Sequence, residues 1–206
     1  MARDDKLRQY RDRRDPERSP EPRGEAGRSA KDETPIFVIQ KHDASTLHYD
    51  FRLEIDGVLK SWAVPKGPST DPRDKRLAVE TEDHPLDYAD FEGTIPDDQY
   101  GGGTVLVWDT GTFNNAKRND DGEIDKTLAE CFDDGHLTVT LYGHKIAGGY
   151  SLTHFRTQKG KRQWLLVKMD DDRADARRNP VNTEPASVIS DRELYDIVRD
   201  EGHGDG

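Results

Sequence analysis

The chain has 206 residues, of which 35% are charged and 32% hydrophobic, so its apolar side chains must be concentrated in part of the sequence. A single cysteine, Cys131, excludes an internal disulfide framework, and no apolar run at the start resembles a signal peptide or membrane span, which predicts a cytoplasmic protein without membrane contact. The net charge of −11 argues against a protein that coats a nucleic-acid duplex, because such proteins displace counterions with many Lys and Arg side chains.

The first segment, residues 1–34, is rich in Arg, Asp, Glu and Pro and contains almost no apolar residue. Composition alone predicts that this N-terminal arm is weakly structured or depends on the rest of the chain. The folded body is expected to begin after it.

Short apolar runs rich in β-branched and aromatic residues occupy residues 35–169 and are separated by Gly, Pro, Asp or Asn. They predict about eight strands: IFVIQ, LHYDFRLEI, VLKSWAV, RLAVET, TVLVW, LTVTLYG, YSLTHF and QWLLVK. Tight turns between them favour antiparallel pairing, because parallel crossovers would need more helices than the sequence supplies. We therefore predict a mainly β domain, either a sandwich or a small barrel, with one or two short helices.

The second run, LHYDFRLEI, alternates apolar residues with His48, Asp50, Arg52 and Glu54, which is the period of a half-buried strand. A solvated polar face is the ordinary interpretation of such a pattern. However, an imidazole, a carboxylate and a guanidinium in a row combine two metal ligands with an anion receptor.

A third metal ligand is available at His42, six residues before His48 across a short DAST turn. Two histidines and Asp50 suit Mn²⁺, Fe²⁺ or Zn²⁺ and leave coordination positions open for water or a phosphate oxygen. Because the chain has 7 His and 42 acidic residues, the spacing alone does not distinguish a metal site from a chance cluster.

Arg52 lies two residues beyond Asp50 on the same face, about 7 Å along a strand. A metal-bound phosphate would be within its reach, and its planar fork of donors can bind phosphate bidentately. The alternative is an ordinary ion pair of Arg52 with Glu54 or Asp50.

Further polar candidates follow in chain order. Lys66 and Arg76 are cations that could face the same pocket, and His84 and Tyr88 could donate to a phosphate or to its leaving oxygen, although either could be a surface residue. The triplet Gly101–Gly103 lacks the Lys and Ser or Thr that follow in a phosphate-cradling loop, so we interpret it as a flexible turn.

Two segments show helical spacing. EIDKTLAECFDDG sets Ile124 and Leu128 on one face with Cys131 or Phe132. The second lies in the acidic tail, residues 170–206, which carries eleven acids and five bases. There the spacing of DRELYDIVRD predicts a short C-terminal helix, which could dock on the body or stay loose.

The runs HDASTLHYDFRLE, WAVPKGPS, HPLDYADFEGTIP, QYGGGTVLVWD and WLLVK, in this order, resemble the 3′-phosphoesterase module of bacterial multifunctional ATP-dependent DNA ligases that act in non-homologous end joining, and its stand-alone relatives. The resemblance spans about residues 10–170. It implies a compact antiparallel β-barrel with an active site in a cavity and a bound Mn²⁺, with Zn²⁺ or Co²⁺ as alternatives. It also implies two reactions at a primer 3′ end: removal of a terminal ribonucleoside to leave a 3′-phosphate, and removal of that phosphate to leave a 3′-OH.

The resemblance implies roles for individual residues as well. The metal ligands that it implies are His42, His48 and Asp50. The catalytic residues that it implies are Arg52, His84, Tyr88, Asp15, Glu21 and Glu82. The phosphate- or substrate-binding residues that it implies are Arg14, Arg52, Lys66, Arg76 and His84. Because RRDPERSPEP resembles the family's N-terminal arm, we expect Arg14, Asp15 and Glu21 to fold over the pocket, against the indication of composition.

No ligase or polymerase segment and no Lys-x-Asp-Gly nucleotidyl-transfer motif occurs in the sequence. We therefore expect a free-standing, monomeric enzyme that acts on the 3′ end of a DNA or RNA-terminated primer strand in a primer–template. Separate DNA ligase, polymerase and end-binding repair proteins would be its partners.

Two other functions remain open at this point. In a non-haem Fe(II) oxygenase, His48-x-Asp50 and a distant His136 or His144 would form the metal triad, and Arg52 would bind a co-substrate carboxylate. In a non-enzymatic adaptor that binds nucleic-acid ends, the metal would be structural. Mn²⁺-stimulated phosphate release, 2-oxoglutarate turnover and binding without turnover distinguish the three functions.

Overall fold

The computed structural model describes residues 5–24 and 34–202, so parts of the predicted arm (1–4 and 25–33) and of the predicted tail (203–206) lie outside the described residues. The elements in chain order are α1 (Arg8–Asp12), β1 (Ile36–Asp43), β2 (Leu47–Ile55), β3 (Val58–Val64), β4 (Arg76–His84), a 3₁₀ helix (Leu86–Asp90), β5 (Gly93–Ile95), β6 (Gly103–Asn115), α2 (Leu128–Asp133), β7 (His136–Gly143), β8 (Ala147–Gln158), β9 (Lys161–Lys168), α3 (Pro180–Thr183) and α4 (Leu194–Gly202). Within this part of the chain, no helix is both long enough and apolar enough to cross a membrane.

Eight of the strands form a closed antiparallel barrel. Their order is β1-β2-β3-β4-β9-β8-β7-β6, and β1 pairs back with β6 to complete the ring. The short β5 pairs with the start of β6, while β7 pairs with the end of β6. The predicted antiparallel β-barrel is confirmed. The sequence missed the three-residue β5, and the described residues contain four short α-helices where one or two were predicted.

Two tight turns fix the register of the barrel hairpins. Asp56 and Gly57 join β2 to β3, and Lys159 and Gly160 join β8 to β9. All four residues have positive φ angles, at 55° and 82° in the first turn and 50° and 74° in the second. This is the backbone of a two-residue type I′ turn, whose twist matches that of the flanking strands.

The barrel interior is filled by the apolar side of each strand. Trp62 and Trp164 are fully buried there, and their ring centroids lie 5.6 Å apart. Phe132 of α2 stacks on Trp164 at 5.6 Å and so covers one end of this aromatic cluster. The helix predicted here begins only at Leu128, after a capping box formed by Thr127 and Glu130.

The C-terminal segment is packed against the barrel. Ile197 of α4 is completely buried in the main core cluster. The carbonyl oxygen of Glu184 accepts hydrogen bonds from Trp108 Nε1 and from Lys145 Nζ, each at 2.8 Å. Of the two arrangements considered for the predicted C-terminal helix, the structure shows the docked one.

Candidate active site

The two histidines of the predicted metal cluster face each other across β1 and β2. The strands are joined by the three residues 44–46, and the antiparallel register pairs His42 with His48. Asp50 follows on the same face of β2, because side chains two residues apart share a face. Its carboxylate oxygens lie 3.4 Å from His42 Nδ1 and 3.3 Å from His48 Nε2. The potential ligand atoms of all three residues lie within 4.8 Å of one another.

This donor set fits a divalent transition metal. His42 Nε2 is buried without a hydrogen-bond partner. His48 Nδ1 donates to the Thr46 carbonyl at 2.9 Å, and its Nε2 atom faces the Asp50 carboxylate. No other group of three potential metal ligands occurs in the described ranges. Two imidazoles and one carboxylate are ligands that Mn²⁺, Fe²⁺ and Zn²⁺ accept.

Arg52 is buried beside this cluster and is fixed at three of its nitrogen atoms. Nε donates to Gln40 Oε1 at 2.8 Å, Nη1 donates to Ser61 Oγ at 2.9 Å, and Nη2 lies 3.4 Å from Asp50 Oδ2. The alternative ion pair with Asp50 therefore exists, whereas the Glu54 carboxylate accepts a hydrogen bond from a β1 backbone N–H. Since a guanidinium has five N–H donors, Arg52 has donors to spare for an anion.

The charge of Arg52 also favours the ionised form of the Asp50 carboxyl group. Burial by itself would raise the pKa of Asp50, but Arg52 and hydrogen bonds from His42 and His48 hold that pKa well below its ordinary value. Asp50 is therefore an anion at neutral pH, as a metal ligand must be.

Gln40 positions Arg52, and the sequence reasoning missed it. Its amide nitrogen donates to the carbonyls of Tyr88 at 2.9 Å and Phe91 at 3.1 Å, so Gln40 ties Arg52 to the 3₁₀ helix. A β-bulge between Ile39 and Gln40 shifts the β1–β6 register at this point. The only signal in the sequence was a polar residue directly after the apolar run Ile36–Ile39.

A second bulge brings His84 to the site. Ser61 pairs with Thr81, but Leu59 pairs with His84, so β4 contains one residue more than β3 between these two pairs. Bulges of this kind re-aim side chains. In a regular ladder Leu59 would pair with Asp83, and His84 would point to the opposite face of the sheet. The bulge therefore places His84 on the same face as Ser61 and Arg52.

His84 is neutral in this environment. Burial, together with the charges of Arg52 and Arg14, lowers the pKa of His84 well below its ordinary value. Its Nδ1 donates to the Glu82 carbonyl at 2.9 Å, and Arg14 Nη2 lies 3.4 Å from Nε2. The Nε2 atom is therefore a hydrogen-bond acceptor.

The described part of the N-terminal arm covers the site. Arg14 donates to Glu21 Oε1 at 2.9 Å and to Glu82 Oε1 at 3.1 Å, and its guanidinium lies 3.8 Å from the Tyr10 ring centroid. The Tyr88 hydroxyl donates to Glu21 at 2.9 Å. Burial, reinforced by the Glu21 charge, raises the pKa of Tyr88 well above its ordinary value. Of the two arrangements that composition allowed, residues 5–24 show the second, an arm that depends on the rest of the chain, because the Arg14 ion pairs and the buried Tyr10 ring hold it on the body.

These groups line one cavity of about 400 Å³. The predicted site residues that line it are Arg14, Glu21, His42, His48, Asp50, Arg52, Glu82, His84 and Tyr88. The lining residues that were not predicted include Ser45, Thr81, Tyr100 and Lys161. Gly101, from the predicted turn, also lines it with a φ of 74°.

Three predicted site residues, Asp15 as a catalytic residue and Lys66 and Arg76 as substrate-binding residues, do not line this cavity. Asp15 and Lys66 are exposed, and Arg76 Nη2 lies 3.5 Å from Asp74 Oδ2. Their contact with a substrate stays a prediction. The oxygenase triad is contradicted, since His136 Nδ1 lies 3.2 Å from Lys117 Nζ and neither His136 nor His144 lines the cavity.

Most of the chain is similar to known proteins. Residues 40–154, more than half of the chain, match the family described as the DNA ligase D 3′-phosphoesterase domain. A multifunctional non-homologous end joining protein LigD from Pseudomonas aeruginosa is 47% identical over 192 residues, covering 91% of this chain and 22% of the relative. A multifunctional non-homologous end joining DNA repair protein LigD from Mycobacterium tuberculosis is 45% identical over 169 residues, covering 82% of this chain and 20% of the relative. The chain thus spans about a fifth of the length of these curated relatives.

Proposed function

The chain belongs to the DNA ligase D 3′-phosphoesterase family, and on that premise we propose that it is a metal-dependent enzyme that heals the 3′ ends of nucleic-acid strands. On a primer–template, it would first remove a terminal 3′-ribonucleoside and then the remaining 3′-phosphate, leaving a 3′-OH. The observation that carries this proposal is one cavity in which three convergent metal-ligand side chains lie beside the buried guanidinium of Arg52.

The proposed metal ligands are His42, His48 and Asp50, and the proposed ion is Mn²⁺, with Zn²⁺ or Co²⁺ as alternatives that suit the same donors. When bound, such an ion acts as a Lewis acid toward a non-bridging phosphate oxygen. The support for a metal is the unpartnered, buried His42 Nε2 atom and the ionised Asp50 carboxylate.

Arg52 would bind the phosphate and stabilise the charge that develops on it in the transition state. Its hydrogen bonds to Gln40 and Ser61 hold the guanidinium in place before any substrate arrives. A preorganised cation in a site that excludes water stabilises a developing negative charge more strongly than water does.

His84 would act first as a base. In the tautomer set by its Nδ1 hydrogen bond, Nε2 accepts a proton from an attacking water or adjacent hydroxyl, and only the protonated ring can donate to the phosphate. Glu21 orients Tyr88 and Arg14, and Glu82 holds Arg14 from the other side.

The remaining substrate contacts would lie outside the cavity. We propose that Asp15, Lys66 and Arg76 contact the substrate there. We also propose that the chain works in end joining with a DNA ligase, a polymerase and end-binding repair proteins, because the relatives are named for that process.

The test is to incubate the purified chain with a labelled primer–template whose primer ends in one ribonucleotide, with EDTA or with Mn²⁺. We expect a 3′-phosphate product first and a 3′-OH product later, with Mn²⁺ only. Asp50→Asn serves as the control for a contaminating nuclease. Consumption of 2-oxoglutarate, or binding without turnover, would overturn the proposal.

A further inference from the structure

One long stretch of this acidic protein contains no acidic residue. Although 42 of the 206 residues are Asp or Glu, none occurs between residues 136 and 168, where six are Lys or Arg. This stretch forms β7, β8 and β9. A local excess of positive charge in a chain of net charge −11 indicates a surface that contacts an anionic partner.

The exposed cations of this stretch gather at the β8–β9 hairpin. Arg156, Lys159 and Lys161 are all exposed, and so is Phe155. The Arg156 guanidinium lies 5.1 Å from the Phe155 ring centroid and donates to Gln163 Oε1 at 2.6 Å. In the described ranges, no carboxylate pairs with any of these three cations, so their charge is available to a partner.

The hairpin projects from the barrel as a two-stranded ribbon. The last residue of β8 paired with β7 is Thr153, and the pairing of β9 with β4 ends at Gln163. Between these points, β8 and β9 pair only with each other. A two-stranded ribbon of this kind fits the major groove of a nucleic-acid duplex.

The cationic face of this ribbon is continuous with the candidate active site. Arg156 pairs with Gln163, and Gln158 pairs with Lys161, so these four side chains share one face. Lys161 lines the cavity that contains the proposed metal ligands. When a 3′ end occupies the cavity, the duplex behind that end would therefore lie against this face.

We propose that the β8–β9 hairpin binds the phosphate backbone of the duplex behind the 3′ end, through Arg156, Lys159 and Lys161. The inference rests on the proposed function, because it assumes a primer–template substrate. The contacts are to phosphates, so they supply affinity and orientation without sequence preference. The duplex contact is local, and the acidic remainder of the surface repels the rest of the polyanion.

The test compares Arg156→Gln/Lys159→Gln with the unchanged protein, by fluorescence anisotropy on a 3′-phosphorylated primer–template over a range of salt concentrations. EDTA is included to prevent turnover of the substrate. The measurement therefore reports binding alone, and its outcome does not depend on whether the proposed hydrolysis occurs. We expect several-fold weaker duplex binding and a log–log salt slope smaller by about 2, one for each lost phosphate contact. Binding of the single-stranded primer should change much less.

Arg177→Gln/Arg199→Gln is the matched control, since it removes the same charge from exposed side chains of the C-terminal segment. It should bind duplex like the unchanged protein. Turnover of a 3′-phosphorylated dinucleotide, too short to reach the hairpin, should be unchanged in Arg156→Gln/Lys159→Gln. Unchanged duplex binding, an equal loss in the control, or an equal loss on single strands would overturn the proposal.

Discussion

At the scale of single residues, Arg52 offers the sharpest test of the chemistry. Because its contacts to Gln40 and Ser61 preorganise the guanidinium, Arg52→Ala should lower 3′-phosphatase kcat by ~10² to 10³, equivalent to ~3 to 4 kcal/mol of barrier. Arg52→Lys should also be impaired, since an ammonium group cannot reproduce the planar fork. Steady-state kinetics on a 3′-phosphorylated primer–template measure both effects, and near-normal turnover of Arg52→Ala would contradict the role.

His84 allows an electrostatic prediction that does not depend on turnover. A neighbouring cation disfavours the protonated imidazole, so Arg14→Gln should raise the pKa of His84 toward its ordinary value, as followed by NMR titration. Arg13→Gln is the control, because Arg13 also pairs with Glu82 but makes no contact with His84. A His84 pKa that stays as low in Arg14→Gln as in the unchanged protein would show that burial and Arg52 depress it without Arg14.

The residues that could be predicted from the sequence were those whose chemistry is visible in their type and spacing. His48, Asp50 and Arg52 repeat at the period of a strand, and the DAST turn suggested where His42 would lie. Gln40 could not be found in this way, because its role depends on a bulge and on a contact with a backbone 48 residues away.

At the scale of elements, substitutions in α4 measure how much the docked C-terminal segment contributes to the free energy of unfolding. Ile197 is completely buried while its neighbour Val198 is 50% exposed. Ile197→Ala should therefore lower the free energy of unfolding by about 2 to 4 kcal/mol, through lost burial and the cavity left behind. Val198→Ala should change it by less than about 0.5 kcal/mol. Urea denaturation measures both, and equal effects of the two changes would contradict the docked arrangement of α4.

The elements differ in how far the sequence could predict them. The strands follow from apolar alternation between turn residues, and the Asp56–Gly57 turn is a strong hairpin signal. The docking of the arm could not be predicted from its composition, because Arg14 secures it through Glu82 of β4, a carboxylate on a distant segment. The spacing of α4 predicted a helix, but docking depends on a partner surface that periodicity does not reveal.

At the scale of the whole molecule, metal binding should stabilise the fold. A ligand that binds only the native state contributes about 2.7 kcal/mol at a hundred times its Kd, which for a chain of this size raises the Tm by about 5 to 10 °C. Differential scanning fluorimetry with Mn²⁺ measures this shift. Asp50→Asn should lose most of it, whereas Asp120→Asn, in an exposed loop, should keep it. An equal shift in both variants would place the metal elsewhere.

The overall architecture was only partly accessible from the sequence. Short antiparallel strands were consistent with either a sandwich or a barrel, and only the family resemblance favoured the barrel. The contact that closes the ring joins β1 to β6, two strands far apart in the chain. Sequence patterns within single segments do not predict such a pairing, because it depends on the accumulated twist of the intervening strands.

Ring closure leaves β5 with one side that pairs with no other strand of the described residues, and sheet edges of this kind can recruit a strand from a second molecule. Here the Thr94 N–H donates to the Glu201 carboxylate of α4 at 2.7 Å, so this backbone N–H already has a hydrogen-bond acceptor. The surrounding tail, with eleven acids and five bases over residues 170–206, also repels an identical copy. The C-terminal helix therefore protects the barrel against edge-to-edge aggregation.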